Sequence, residues 1–429
     1  MNMYELKSFV GAKERQKESD SSTTALLILI ISSWFLFPIM LKFLAYREFQ
    51  VAFFVISIVV LVKLIWHSKV NQLKWLRWHK WFMFFWAIYL LSLLSSTLYS
   101  DSLYSLKQYC ITIYKVMFFW VLLLYMKRNI VIRSFQAYSF LVLVIVFLAS
   151  LTAISIKFDL VTPIESLTQK VTQHTQYFQV YWGAYYFDGH RRMQGFCEES
   201  GTFALTILPA VFWFLIVAKS YVRTALVLIG VFASHSTGGL WEMALAILLS
   251  AKKKVFSKNI LFCLLVLTCI LAVILGLPYL EALFSSEPLA FRHKIEAFVS
   301  LPGRLQSILS SYEYLTVHPF GTGSALGMIT VNYPISVGYA NAMLESGVIG
   351  GLAYLLMFGV LGWQALKFSL AANINDNEGK VNFVVALTVM IILLMGFQRQ
   401  QPDLSMWHMW IYASFFYITM KHENNKKDV

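Results

Sequence analysis

Charge is what this sequence is short of: Asp, Glu, Lys and Arg make up 13% of its 429 residues, where a soluble domain carries about 25%. The deficit runs along the whole chain, which excludes a soluble domain with a single hydrophobic tail. Cysteine is scarcer still. Of Cys110, Cys197, Cys263 and Cys269, three lie in apolar runs and Cys197 in an expected external loop, so neither a disulfide framework nor a metal-ligand spacing emerges. No small-residue cleavage site follows the first apolar run, which is therefore expected to be a retained helix behind a polar, mixed-charge start. Internal repeats are lacking too. The glycine stretch from Gly321 to Gly327 is not followed by Lys-Ser or Lys-Thr, which argues against a phosphate loop.

Apolar residues, by contrast, reach 58% and recur in runs close to the ~20 residues that cross a bilayer core. The runs predict twelve membrane-spanning helices, at residues 24–45, 49–66, 81–99, 110–126, 137–156, 202–218, 222–234, 239–251, 259–280, 341–366, 381–398 and 404–420. The expected class is thus an all-α polytopic membrane protein with two long outer loops containing short helices. The net charge of +13 raises the question of nucleic acid. Its Lys and Arg residues, however, stand in short clusters between apolar runs, the pattern of cytoplasmic loops, and no nucleic-acid partner is expected. With the amino terminus inside, 23 of the 35 basic residues fall on the cytoplasmic face. Merging the seventh and eighth spans would put Lys252, Lys253 and Lys254 outside, so the two are kept separate. His235 and Glu242, around their junction, are read as helix-packing groups. Charged residues within the predicted helices are few and mostly near the ends (Lys42, Lys63, Lys115, Glu242).

The chain then divides into a cytoplasmic tail over 1–23, five helices over 24–156, a first outer loop over 157–201, four helices over 202–280, a second outer loop over 281–340, three helices over 341–420 and a cytoplasmic tail over 421–429. Long segments on one face are where function concentrates. In the second loop Leu305, Ile308, Leu309, Tyr312 and Leu315 recur at helical spacing just after Pro302-Gly303, which predicts an amphipathic helix lying against the membrane surface. Tyr177, Phe178, Tyr181, Trp182, Tyr185, Tyr186 and Phe187 crowd the first loop. They are read as a lipid-headgroup anchor ahead of a sugar-stacking surface. Trp75, Trp78, Trp81, Trp407 and Trp410 fit an aromatic belt.

Chemistry-bearing residues gather at the loop ends. The first loop closes on Arg191, Arg192, Glu198 and Glu199; from charge alone these fit a solvated loop with weak surface ion pairs as well as a site. The second carries Arg292, Arg304 and His318, and Glu345 stands near the outer end of the next span, where an ionisable group is costly unless paired or facing water. Arg292 and Glu296 are four apart, so a simple helical pair also accounts for Arg292.

Three segments carry a resemblance. Arg-x-x-Gly-Phe-x-Glu over 192–198, His-Pro-x-Gly-x-Gly over 318–323 and Glu-x-Gly-x-x-Gly over 345–350 occur in the order found in the O-antigen polymerase and ligase superfamily, with its long outer loops. Arg304, fourteen residues before His318, matches the arginine that family places ahead of the glycine stretch, and Arg292 to Gly303 matches an arginine-to-glycine spacing of some of its polymerases. The His-Asn pair of the ligases is missing; Ser336 and Val337 fall in its places, which favours the polymerase branch. The resemblance implies a metal-independent glycosyltransferase of the GT-C kind, without cofactor, in a bacterial inner membrane. Its donor and acceptor are undecaprenyl-pyrophosphate-linked oligosaccharides, and a chain-length regulator in the same membrane is a further expected partner. On that reading Arg191, Arg192, Arg292 and Arg304 bind the pyrophosphate, because guanidinium forks suit phosphate oxygens. His318, Glu198, Glu199 and Glu345 are the candidates for base or orienting group. A ligase, a lipid-linked oligosaccharide flippase or other transporter, and an assembly subunit of an envelope complex are the competing readings.

Overall fold

The computed structural model describes residues 23–28, 30, 46–67, 77–163, 165–171, 174–181, 184–187, 200–234, 243, 247, 301–327, 337–398, 411 and 413–420. Within them lie α1 (Tyr46–His67), α2 (Arg77–Tyr99), α3 (Leu103–Tyr125), α4 (Arg128–Lys157), α5 (Ser200–Phe212), α6 (Tyr221–Ala233), α7 (Leu301–Val317), α8 (Gly338–Ala371) and α9 (Asn377–Gln398). Residues 23–28 and 413–420 are helical as well. The predicted spans 239–251 and 259–280 fall almost wholly outside the described residues. Among the described residues four helical segments are long and apolar enough to cross a membrane: Lys80–Tyr99, Leu103–Tyr125, Arg128–Ile156 and Gly338–Ala371. Phe54–Trp66, Phe203–Val217 and Tyr221–Ala233 are shorter apolar helices. These define a helical membrane protein.

Two helix starts differ from expectation. α3 begins at Leu103 rather than 110 because Ser102 caps it, accepting from the Ser105 amide at 3.3 Å. Lys115, expected near a helix end, consequently sits at mid-helix, with 7% of its surface exposed. α4 begins at Arg128 rather than 137, its polar first turns tolerated because they stand at the end of the bundle. A larger departure lies in the first outer loop, where short helices were expected. Three antiparallel strands occupy it, β1 (Glu165–Val171), β2 (His174–Val180) and β3 (Tyr185–Phe187), in the order β1-β2-β3. Thr168 pairs with Tyr177, and Phe178 pairs with both Leu167 and Phe187. Tyr177, Phe178, Tyr185, Tyr186 and Phe187, expected to form a headgroup anchor, lie within these strands, where aromatic residues are favoured.

α2 and α8 run antiparallel in close contact. Tyr89 meets Tyr354 at 4.8 Å between ring centroids, Tyr354 meets Phe358 at 4.7 Å, and Tyr339 donates from its hydroxyl to the Leu393 carbonyl at 2.8 Å, joining α8 to α9. A second group forms from α4, α5 and α6. Tyr138 donates to the Thr206 carbonyl at 2.6 Å, and Gly230 lets α6 approach Ile207 and Val146. Pro209 lies within α5, which widens into a π-turn over Trp213–Val217.

One end of the bundle is tied by Arg128, whose guanidinium meets the Glu378 carboxylate at 3.0 Å and donates to Asn382 Oδ1 at 3.3 Å. The charge pattern assigned the loops before α4 and before α9 to one face, and this contact brings them together. Both partners are largely shielded, so Arg128→Ala should cost about 1–3 kcal/mol as a charged hydrogen bond is lost. A drop of several degrees in thermal unfolding in detergent checks it; an unchanged midpoint would make the pair ornamental.

Candidate functional site

α8 is one helix in outline and two in substance. Gly347 takes φ 76° and ψ −179°, which breaks the helix after nine residues. A break of this kind strands the carbonyls of the first half, and in a membrane each must find a donor within the protein. They do so from two directions. The Thr322 amide donates to the Leu344 carbonyl at 2.9 Å, and the Gly323 amide donates to the Glu345 carbonyl at 3.0 Å. From α2, Ser96 Oγ donates to the same Glu345 carbonyl at 2.6 Å, and Ser92 Oγ donates to the Ser346 carbonyl at 2.7 Å. In the other direction the Val348 amide of the second half donates to the Pro319 carbonyl at 3.0 Å.

The glycine stretch therefore docks edgewise into the break. Gly321 (φ 85°) curls the chain there, and a side-chain carbon on it would fall 2.8 Å from the Leu344 and Glu345 carbonyl oxygens. The far side of the stretch is held by α2 and the first turn of α3. The Ser324 amide donates to Thr97 Oγ1 at 3.2 Å, and Ser105 Oγ donates to the same oxygen at 3.5 Å.

Of the residues singled out in the sequence, His318 and Glu345 stand on this junction and differ in environment. His318 terminates α7, its amide donating to the Tyr314 carbonyl at 2.9 Å, and its ring packs 4.7 Å from that of Tyr314. It is exposed. Burial, with the Tyr99 phenol at the end of α2 as a second cause, pushes the Tyr314 hydroxyl above its ordinary pKa. Glu345 is 2% exposed, and Asn341 Nδ2 donates to its Oε1 at 2.9 Å. Arg304 lies in the first turn of α7, fourteen residues and roughly 20 Å of helix rise before His318. Arg191, Arg192, Glu198, Glu199 and Arg292 lie outside the described residues, as do His235 and Glu242. Among the described residues no three of His, Cys, Asp and Glu gather as a metal site.

α7 itself keeps the predicted helix but splits its apolar face. Leu315 packs on Val337, which precedes α8, and on Ala340 and Leu344 of its first half, while Ile308, Leu309 and Tyr312 remain exposed. What sequence reasoning missed is the contribution of α2. Ser92, Ser96 and Ser100 recur every four residues, a hydroxyl stripe down one helix face, and nothing in the three motifs points to it.

Comparison with protein-family models, with curated proteins and with solved structures finds no match for this chain.

Proposed function

We propose that the chain polymerises lipid-linked oligosaccharide repeat units into an O-antigen or related surface polysaccharide, acting at the periplasmic face of a bacterial inner membrane with both termini cytoplasmic. The observation that carries the reading is the junction: two of the three resembling segments, at 318–323 and 345–350, form one hydrogen-bonded unit. Short motifs of this kind are individually weak, and their joining in space is what a shared site requires.

In the reaction, a sugar hydroxyl of the incoming lipid-linked unit attacks the anomeric carbon of the growing chain. The bond from that carbon to the pyrophosphate oxygen breaks, its electron pair leaving with the lipid pyrophosphate, and the hydroxyl proton passes to a base. His318, exposed at the end of α7, is the base of this proposal; the Glu345 side chain, buried, accepts from Asn341 within the first half of α8. Arg304 and the loop arginines Arg191, Arg192 and Arg292 stabilise charge on the departing pyrophosphate. The roughly 20 Å of helix rise between Arg304 and His318 leaves room for the pyrophosphate and the reacting sugars between the two positions.

A transporter is the second reading. The interrupted α8 and the central, buried Lys115 favour it, since discontinuous helices and intramembrane charges mark transport pathways. Transport sites sit near the midplane, however. The break at Gly347 is only about 10 Å inside the outer end of the predicted span, counting helix rise. Purified protein in detergent, given only a lipid-linked repeat unit and a chelator, decides between them. The polymerase extends the unit, and His318→Gln slows extension about 100-fold. A transporter gives no product in the absence of a membrane, and that result would overturn the proposal.

A further inference from the structure

Hydroxyls inside membrane helices ordinarily satisfy themselves locally, bonding a carbonyl three or four residues back in their own helix. Thr112, Thr152, Ser346 and Thr388 do so here. Ser92 and Ser96 do not. Each donates to α8, across 254 and 249 residues of sequence, at 2.7 and 2.6 Å. Thr97, next to Ser96, receives the Ser324 amide. Adjacent residues of α2 thus grip the two halves of the junction separately, Ser96 the broken helix and Thr97 the glycine loop, and both are buried, at 0% and 2% exposure. On its far side the loop leaves no slack: a carbon added to Gly323 would fall 2.8 Å from Ser105 Oγ and 2.9 Å from Ser100 Oγ.

We infer that Ser96 and Thr97 are positioning residues: they lock the glycine loop to the break in α8 and thereby fix where His318 stands. The catalytic consequence rests on the polymerase reading above; the lock itself does not. His318 is four residues from Thr322, whose amide is bonded into the break, and the intervening turn is closed by the Gly321 amide on the His318 carbonyl at 3.1 Å. A shift of the loop therefore moves the histidine directly, and a displacement of about 1 Å in a reacting group lowers turnover by up to about 100-fold.

The test uses the full-length protein in detergent with Ser96→Ala, Thr97→Val and Thr97→Ser, read by amide hydrogen exchange and by extension kinetics on the lipid-linked unit. Ser96→Ala and Thr97→Val should speed exchange of the Gly323 and Ser324 amides about tenfold, the equivalent of one lost hydrogen bond. They should lower kcat about 10- to 100-fold with KM within about twofold of the parent. Thr97→Ser, which keeps the oxygen, should restore both. Should Thr97→Val fail to accumulate, Ser96→Ala, which removes a single atom, carries both readouts. Unchanged exchange in Ser96→Ala overturns the lock. Faster exchange with unchanged kcat overturns the positioning role. Faster exchange in a protein whose parent extends nothing overturns the polymerase reading and leaves the lock standing.

Discussion

Gly347→Ala should leave almost no correctly folded protein in the membrane, whereas Gly359→Ala, in the same helix, should be indistinguishable from the parent. The contrast follows from backbone and space together. Gly347 holds φ 76° and ψ −179°, a region essentially reserved to glycine that costs an L-residue about 1–3 kcal/mol. A methyl there would also fall 2.5 Å from the Pro319 carbonyl oxygen. That oxygen is the acceptor for Val348, so relieving the clash separates the glycine loop from the break. Four further donors to the break, the Thr322 and Gly323 amides and the Ser92 and Ser96 hydroxyls, then lose their registration. At about 1 kcal/mol for each hydrogen bond the total passes 4 kcal/mol, a severe loss for one residue. Around Gly359, nothing lies within 4 Å of an added carbon. Size-exclusion profiles and unfolding midpoints of the two variants in detergent make the comparison. A monodisperse Gly347→Ala protein with the parent's midpoint would mean that the break is not built as described.

The same junction marks the boundary of what the sequence discloses. Membrane helices are legible because the bilayer demands long apolar runs, and α2, α6 and α9 lie within a few residues of their predicted spans. Helix starts are less legible because polar residues at a bundle's end carry no hydropathy signal; Ser102 and Arg128 start helices that hydropathy begins seven and nine residues later. The break in α8 is hidden for a different reason. Gly347 stands two residues after Glu345, so the Glu-x-Gly segment reads as the opening of a helix, whereas nine residues of helix precede it. A glycine in an apolar run is compatible with a straight helix, and only the donors arriving from Thr322, Gly323 and α2 distinguish the two. The β-sheet escaped because tyrosines and phenylalanines suit a membrane interface and a strand equally, and the pairing partner decides. His318 and Glu345, by contrast, were visible from their motifs. Their unequal exposure was not, since burial is set by the packing of α2 and α7 rather than by neighbours in sequence.

Removing the guanidinium of Arg304 or Arg192 should abolish high-molecular-weight polymer while membrane levels of the protein stay normal. The leaving group sets the requirement. Departure of a lipid pyrophosphate concentrates negative charge on its bridging oxygen, and without stabilisation there the anomeric bond does not break at a useful rate. On the proposed reading arginines supply that stabilisation, being charged at all relevant pH values and able to hold phosphate oxygens through two parallel hydrogen bonds. Loss of one such preorganised donor costs about 100- to 1000-fold in turnover. In a polymerisation the effect compounds, because each added unit repeats the slowed step and long chains vanish before short ones. Arg304→Lys keeps the charge without the fork and should give short products in place of the full ladder. On the proposed reading Arg304, which opens α7 roughly 20 Å of helix before His318, serves the leaving-group end of the reaction and His318 the acceptor end. Arg304→Ala should then weaken use of the donor, and His318→Gln should leave donor binding intact while slowing transfer. Titration of donor and acceptor lipids separately against both variants distinguishes these effects. A normal ladder in Arg304→Ala and Arg192→Ala alike would remove the arginines from the mechanism, and identical defects in Arg304→Ala and His318→Gln would deny them separate ends of the reaction.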